Sequence, residues 1–422
     1  MGSKARLFLP LGLAVCLSLF GDLTLYAVLA AERDVVGLSL GAVGVMLGAN
    51  RLIRIPGNLL AGVLFDRWGR RPLFLLGMAI GTVSVAGFGL VQGFWPFLLT
   101  RLGWGIAWTL INVGGMTMVL DVSVPADRAR LVGLYNVWMW LGLALGPLVG
   151  GFLVDGLGFR VAMLICASLG ALGFLIVLFT LPETQRPSGQ GEGGPVGDKD
   201  SPRVVWHKRV LGIFRAAPAL LTVYLLYLIT HLAGDGVALS TVSLLLERRF
   251  GSTVTFRSLS LGVASVSGLL LGMRSLLAGA VGPLAGRLAD ARQERWPVIT
   301  ASLILGILGF GLLAWEDSLG LIVLGVALSA VSGGTALSAL AAQVGDYTPR
   351  GKEGVAMGAY ATAGDIGSTS GPFLAYALVA VMDLRWVYVL CSLTFVVGLV
   401  LSWYRPRGEV SDSVGEASAQ AS

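Results

Sequence analysis

Residues 60–66 read Leu60-Ala61-Gly62-Val63-Leu64-Phe65-Asp66, and 224 residues further on the chain reads Leu284-Ala285-Gly286-Arg287-Leu288-Ala289-Asp290. Five of the seven positions are identical. At a shift of 225, Asp121, Gly133, Tyr135, Gly142, Gly146, Pro147 and Arg160 fall on Asp346, Gly358, Tyr360, Gly367, Gly371, Pro372 and Arg385. The dipeptide Gly21-Asp22 returns as Gly234-Asp235 at a shift of 213. A self-similarity on this scale means two copies of one structural unit stacked in one chain.

The nature of that unit follows from composition. Of 422 residues, 55% are hydrophobic and 13% charged, with a mean hydropathy of +0.81, whereas about a quarter of residues are charged in a soluble domain. Runs of roughly 20 mostly apolar residues, the length that spans a bilayer, occur about six times between residues 7 and 181 and six times between 217 and 404. The first run follows Lys4 and Arg6 and has small residues near Ala30, as a cleaved leader has, but its length and Asp22 argue for a retained span. The expected fold is an all-α membrane protein with twelve transmembrane helices in two pseudo-symmetric six-helix bundles around a central cavity. The expected divisions are residues 1–182, a linker at 183–216, the second bundle at 217–405 and a disordered tail at 406–422. Within the linker, 186–195 is Gly-, Pro- and Ser-rich, and 203–215 mixes Val204, Trp206, Leu211 and Phe214 with basic residues. That second stretch reads equally as a helix on the membrane surface or as solvated chain.

Lys and Arg total 30 against 24 Asp and Glu, a net charge of +6. Twenty of the basic residues fall on the tails and on the loops of their side. The opposite loops hold six: Arg33, Arg160, Arg248, Arg249, Arg257 and Arg385. The positive-inside bias therefore places both termini in the cytoplasm, and the expected location is the plasma (inner) membrane. The surplus charge is topological and does not mark a nucleic-acid surface. Cys16, Cys166 and Cys391 stand alone in apolar runs, without the spacing of a zinc site or a disulfide framework. No metal or cofactor is expected. The expected partners are a small-molecule substrate, the proton and the lipid bilayer, and one chain already holds both halves of a pathway.

At the end of the second apolar run stands Gly62-Val-Leu-Phe-Asp66-Arg67-Trp-Gly69-Arg70-Arg71, which resembles the loop signature of the major facilitator superfamily. The fifth run carries Gly133-x8-Gly142-x3-Gly146-Pro147-x2-Gly150-Gly151, which resembles the fifth-helix signature of the antiporters of that superfamily. Arg101-Leu-Gly-Trp-Gly105 and Leu181-Pro-Glu-Thr184 extend the resemblance to nearly the whole chain, with Trp104 where the family usually has glutamine. In the second half Asp290 is kept, but Ala291-Arg-Gln-Glu-Arg295 replaces the Arg-x-Gly-Arg-Arg continuation. In physical terms, Asp66, Arg67, Arg70 and Arg71 at a helix end can form charge-assisted contacts with neighbouring helix ends, and these would latch one conformation. Glycines four apart let a neighbouring backbone approach closely, and Pro147 permits a bend. The resemblance implies that this face is a gating seam.

Ionisable residues inside the apolar runs are costly unless they face a partner or a cavity. They are Asp22, Arg51, Arg54, Arg101, His231, Asp235, Arg274 and Asp365. Counted at about 1.5 Å per residue, Asp22 and Arg51 lie at similar depth, as do Asp235 and Arg274. The expectation is an Asp–Arg pair between the first two helices of each half. Candidates for proton coupling are Asp22, Asp235, Asp365 and Arg101. Asp22 leads because a carboxylate in helix one resembles those that couple transport in related drug exporters. Asp365 follows, having no Arg in its own helix, and His231 reads as a satisfied core residue.

Trp104, Trp108, Tyr135, Trp138, Trp140, Tyr224, Tyr227 and Tyr360 are available to line an apolar pocket. Trp108, Tyr135 and Tyr360, with Asn112 and Asn136, are the expected cavity residues. The leading functional reading is proton-coupled export of drug-like or amphipathic solutes by alternating access. The alternative is uptake or exchange of an organic anion, motivated by four intramembrane arginines against three aspartates. An enzyme is disfavoured, since the chain has no Walker A run and no His-Glu-x-x-His.

Overall fold

The computed structural model describes residues 2–124, 127–184, 218–256, 259–292, 294–315, 318–348 and 353–403. The 183–216 linker lies outside them apart from its first two residues, and the 406–422 tail does so entirely. The first bundle holds α1 (Gly2–Val28), α2 (Leu40–Trp68), α3 (Arg70–Leu90), α4 (Phe94–Val122), α5 (Arg128–Leu157) and α6 (Phe159–Thr180). The second opens with α7, one continuous rod made of Pro218–His231, a π-helical turn Leu232–Ala238 and Leu239–Phe250. A small antiparallel hairpin, β1 (Thr253–Phe256) with β2 (Leu259–Gly262), leads to α8 (Val263–Arg292). Then come α9 (Trp296–Ala314), α10 (Leu319–Tyr347), α11 (Glu353–Val379) and α12 (Leu384–Trp403).

Among the described residues, ten spans are long and apolar enough to cross a membrane. The two helices outside that set are α2, which carries Asn50, Arg51, Arg54 and Asp66, and α11, which carries Asp365 among Gly, Ser and Thr. These two helices pack on each other across the two halves. Tight connections alternate the helix directions within each half, and the start of α1 and the end of α12 lie at one face of the bundle, the terminal face. Gly69 alone joins α2 to α3 at φ 90°, and Gly158 alone joins α5 to α6 at φ 82°. A left-handed backbone there suits glycine and turns the chain in one residue.

Small residues set the packing. A Cβ at Gly142 would lie 2.9 Å from the Cys16 carbonyl, and one at Gly150 would lie 1.8 Å from Thr24 Oγ1. These glycines therefore hold α5 against α1 inside the first half. The second half repeats the arrangement on α11 and α7, where a Cβ at Gly371 would meet Gly236 Cα at 2.4 Å. Only part of the fifth-helix pattern serves a seam between halves. A Cβ at Gly151 would lie 2.2 Å from the Ala264 carbonyl, and one at Gly268 would lie 2.1 Å from that of Pro147. The second seam joins α2 to α11, through Gly44 against Pro372 and Gly48 against Phe373.

The α2–α11 seam lies in the far half of the bundle, and the α5–α8 seam runs from the far end to the middle, where a Cβ at Gly279 would lie 3.1 Å from Trp140. Nearer the terminal face the same four helices carry Gly62, Gly133, Gly286 and Gly358, at each of which a Cβ would meet nothing within 4 Å. The molecule is thus closed at the far face and parted at the terminal one. Polar ties reinforce the closure. Arg33, after α1, donates to both carboxylate oxygens of Glu247 on α7, at 2.8 and 3.0 Å. Asp155 at the end of α5 accepts from the Ser265 backbone N–H at 2.7 Å, capping the first turn of α8.

Glu32 sits half-buried among these groups. Burial first, then the like charges of Asp155 and Glu247, push its carboxyl above the ordinary glutamate range. The folded form then holds the Glu32 proton more tightly than the unfolded chain does, so stability is lost as pH rises from the ordinary range through the raised value. Glu32→Gln is expected to raise the thermal unfolding midpoint at neutral pH, and the difference from the parent shrinks on acidification into the ordinary glutamate range. Gly150→Val, which forces a side chain onto Thr24, is expected to cost about 1–3 kcal/mol, read from denaturation of the purified protein. Gly133→Ala, facing open space, is expected to leave stability within about 0.5 kcal/mol.

Candidate functional site

In the first half the partner of Asp22 is not Arg51. Arg101 on α4 donates from a terminal nitrogen to Asp22 Oδ1 at 2.5 Å, with its Nε on the Met46 carbonyl at 2.8 Å. Its guanidinium also lies 5.6 Å from the Tyr26 ring centroid and 5.4 Å from that of Phe88. Arg101 is completely buried and Asp22 is 8% exposed. The remaining side-chain contact of Asp22 is Asn50 Nδ2 at 3.4 Å. Equal depth does not ensure contact, because successive helical residues point about 100° apart. Asn50 takes the face toward Asp22, and Arg51 is turned toward the interface between halves. There its Nε donates to the Tyr26 hydroxyl at 3.1 Å, and a terminal nitrogen reaches the Ser368 carbonyl of α11 at 3.5 Å.

The second half does form the expected pair. Arg274 on α8 donates to Asp235 Oδ1 at 2.7 Å, and His231 Nε2 lies 3.5 Å from Asp235 Oδ2. Asp235 stands in the π-helical turn of α7, a local widening often found at functional sites. A cavity of about 170 Å³ opens beside this pair, bounded by both halves. Leu23, Arg51, Trp140, Leu143 and Pro147 line it from the first half. His231, Asp235, Leu271, Arg274, Gly334 and Leu337 are among its walls in the second.

None of Trp108, Asn112, Tyr135, Asn136 and Tyr360 lines this cavity. Trp108 is buried against Trp104, their rings 6.4 Å apart. Tyr135 is packed over Gly115 with its hydroxyl unpartnered, and Asn112 and Asn136 are half-buried. Tyr360 comes nearest. It stacks on Tyr227 at 3.7 Å and donates to the carbonyl of Leu337, a wall residue. Trp140 and His231 are the aromatic rings at the cavity, and Trp140 was distinguishable only by the face of α5 it occupies. Arg54 forms no ion pair among the described residues, and the carboxylate acting on it most strongly from a distance is Asp365 across the interface.

The charged loop at the terminal face is a compact network. Arg70 donates to Asp66 at 3.1 Å, Asp121 at 3.2 Å and the Phe65 carbonyl at 2.5 Å. Glu183 accepts from the backbone N–H groups of Arg70 at 3.0 Å and Arg71 at 3.1 Å, satisfying the first turn of α3. Arg71 itself reaches the Leu178 carbonyl at 2.7 Å, whereas Arg67 is exposed. The second half keeps the central pair despite its altered sequence, since Arg295 donates to Asp346. These are Arg70 and Asp121 displaced by 225 positions.

The sequence model of the Major Facilitator Superfamily matches residues 11–269 and again 237–421. The chain is 27% identical over 360 residues to the class C tetracycline resistance protein of Escherichia coli, covering 85% of this chain and 84% of that one. It is 25% identical over 370 residues to major facilitator superfamily domain-containing protein 10 of Mus musculus, covering 85% and 78%. Among solved structures, a bacterial homolog of the human lysosomal transporter Spinster, inward-facing and occupied, superposes with a TM-score of 0.77 at 16% identity over 98% of each chain.

Removing one member of a buried ion pair costs about 3–5 kcal/mol because the other is left uncompensated. Arg101→Leu is expected to destabilise by that amount, and adding Asp22→Asn to recover a large part. A double-mutant cycle on unfolding free energies checks the coupling.

Proposed function

Since the chain belongs to the major facilitator superfamily, whose members are transporters and not enzymes, we propose that it exports drug-like or amphipathic small molecules in exchange for protons. One chain would work as the unit, alternating between states open to either side. The basic residues at the terminal face support a cytoplasmic assignment of that face, and in this reading the conformation described is the cytoplasm-open one. Export needs such a state to admit solute, and the terminal parting of both seams provides it.

The observation that carries the coupling is the buried Asp22–Arg101 pair. A proton on Asp22 neutralises the carboxylate and weakens the charge-assisted bond at 2.5 Å. Arg101 is then left with the Met46 carbonyl and two aromatic faces. A guanidinium in that position seeks another acceptor, which shifts α4 against α1 and α2. Asp235 and Asp365 are secondary proton sites, Asp235 because Arg274 already holds it and Asp365 because it lies outside the cavity wall. Asp66, Arg70 and Asp121 act as the latch of the parted state. The relative named for tetracycline resistance and the fifth-helix pattern support the export direction.

The test is reconstitution in liposomes with an imposed pH gradient and a panel of amphipathic solutes. Wild type is expected to move them with the gradient, and Asp22→Asn to fall to the level of empty liposomes while retaining solute binding. Unchanged gradient-driven movement in Asp22→Asn would remove Asp22 from the mechanism.

A further inference from the structure

We propose that the cavity holds the anionic end of the transported solute between Arg51 and Arg274, so that the substrates are amphipathic anions. This rests on the reading of that cavity as the transport site and names the chemistry it selects.

The argument begins with a charge count. The cavity walls carry Arg51 and Arg274 against one carboxylate, Asp235. Their sum is +1 even with His231 neutral. The surplus cation is Arg51, and its origin is an asymmetry between the two halves. In the first half two arginines, Arg51 and Arg101, stand near one aspartate, and Arg101 takes it. In the second half Val326 occupies the position 225 residues beyond Arg101, so Arg274 takes Asp235. Among the described residues no carboxylate forms an ion pair with Arg51, and Asp235 and Asp22 act on it only from a distance. Its hydrogen-bond partners, the Tyr26 hydroxyl and the Ser368 carbonyl, are both neutral oxygens.

A guanidinium at membrane depth with no carboxylate in contact carries a cost that a bound anion relieves. Arg274 adds unused capacity, being 8% exposed with a buried Nε that has no hydrogen-bond partner. The carboxylate of a solute would bridge the two arginines and compete with Asp235 for Arg274, tying substrate arrival to the ion pair of the second half. The walls also carry Trp140, Leu143, Leu271 and Leu337, which suit an aromatic or aliphatic body. At about 170 Å³ the space is smaller than the roughly 300–1,000 Å³ of sites that enclose a drug-sized ligand. It fits the charged end and its adjoining ring, with a longer body extending toward the parted terminal face.

Three probes of one shape and different charge test this on the full-length protein in detergent: 2-naphthoate, neutral 2-naphthamide and 2-naphthylmethylammonium, by equilibrium dialysis. The naphthoate is expected to bind about tenfold or more tighter than the amide, as charge-assisted bonds imply, and the ammonium weakest. Arg51→Gln should erase the preference, and Arg51→Lys, which keeps the charge, should retain part of it. Equal binding of the three probes, tightest binding of the ammonium, no binding of any, or a preference intact in folded Arg51→Gln would each overturn the proposal. The wild-type comparison needs no variant. Dialysis imposes no pH gradient, so failure of proton coupling in liposomes would leave naphthoate binding standing, and loss of binding would leave proton coupling to be judged on its own.

Discussion

A guanidinium inside an apolar bundle must find an anion or pay for its absence, and the first half of this chain sets two guanidiniums beside one aspartate. Arg101 holds Asp22 in one buried pocket that also supplies the Met46 carbonyl and two aromatic faces. That choice fixes α4 against α1 and α2. It also expels Arg51 to the boundary between the halves, where Tyr26 and Ser368 receive it. The polarity of the central cavity is therefore a by-product of a contest settled elsewhere in the bundle.

The second constraint is steric. α5 uses two adjacent glycines for opposite purposes, since Gly150 seats it against α1 of its own half and Gly151 against α8 of the other. Close backbone contact inside each half makes that half a rigid body. The seams between halves are close as well, α5 packing on α8 as extensively as on α1, but toward the terminal face the glycines of all four helices face open space. Rigid halves meeting along two such seams can part at one end while staying joined at the other, which is the geometry that alternating access requires.

Much of this was legible in the sequence. The 224- and 225-residue shifts found the two bundles, and apolar run length found the helices. Depth found Asp235 with Arg274. Depth failed for Asp22 because it fixes height along a helix and not direction around it, and Asn50 and Arg51 differ only in direction. The aromatic residues failed for the same reason, with Trp138 and Trp140 two positions apart on α5 and Trp140 lining the cavity. Arg295 was hidden by a changed loop spelling, although its spacing to Asp346 preserves that of Arg70 to Asp121. The Arg33–Glu247 tie joins loop and helix end across 214 positions, and no local pattern announces such a contact.

The two arginines of α2 show how far a simple register argument goes. Along the antiparallel α2–α11 seam Gly48 meets Phe373 and Arg51 meets Ser368. Three residues onward on α2, and three back on α11, the same register sets Arg54 opposite Asp365. This is the rung at which the contacts cease, because the two side chains interact only at a distance. Beyond it Gly62 and Gly358 face open space. An unlike-charge pair at the point of parting is attracted inward while separated and relieved when joined, so it opposes the open state without preventing it. Small residues beyond it leave the backbones room to meet, so bulk is not what holds the two helices apart there.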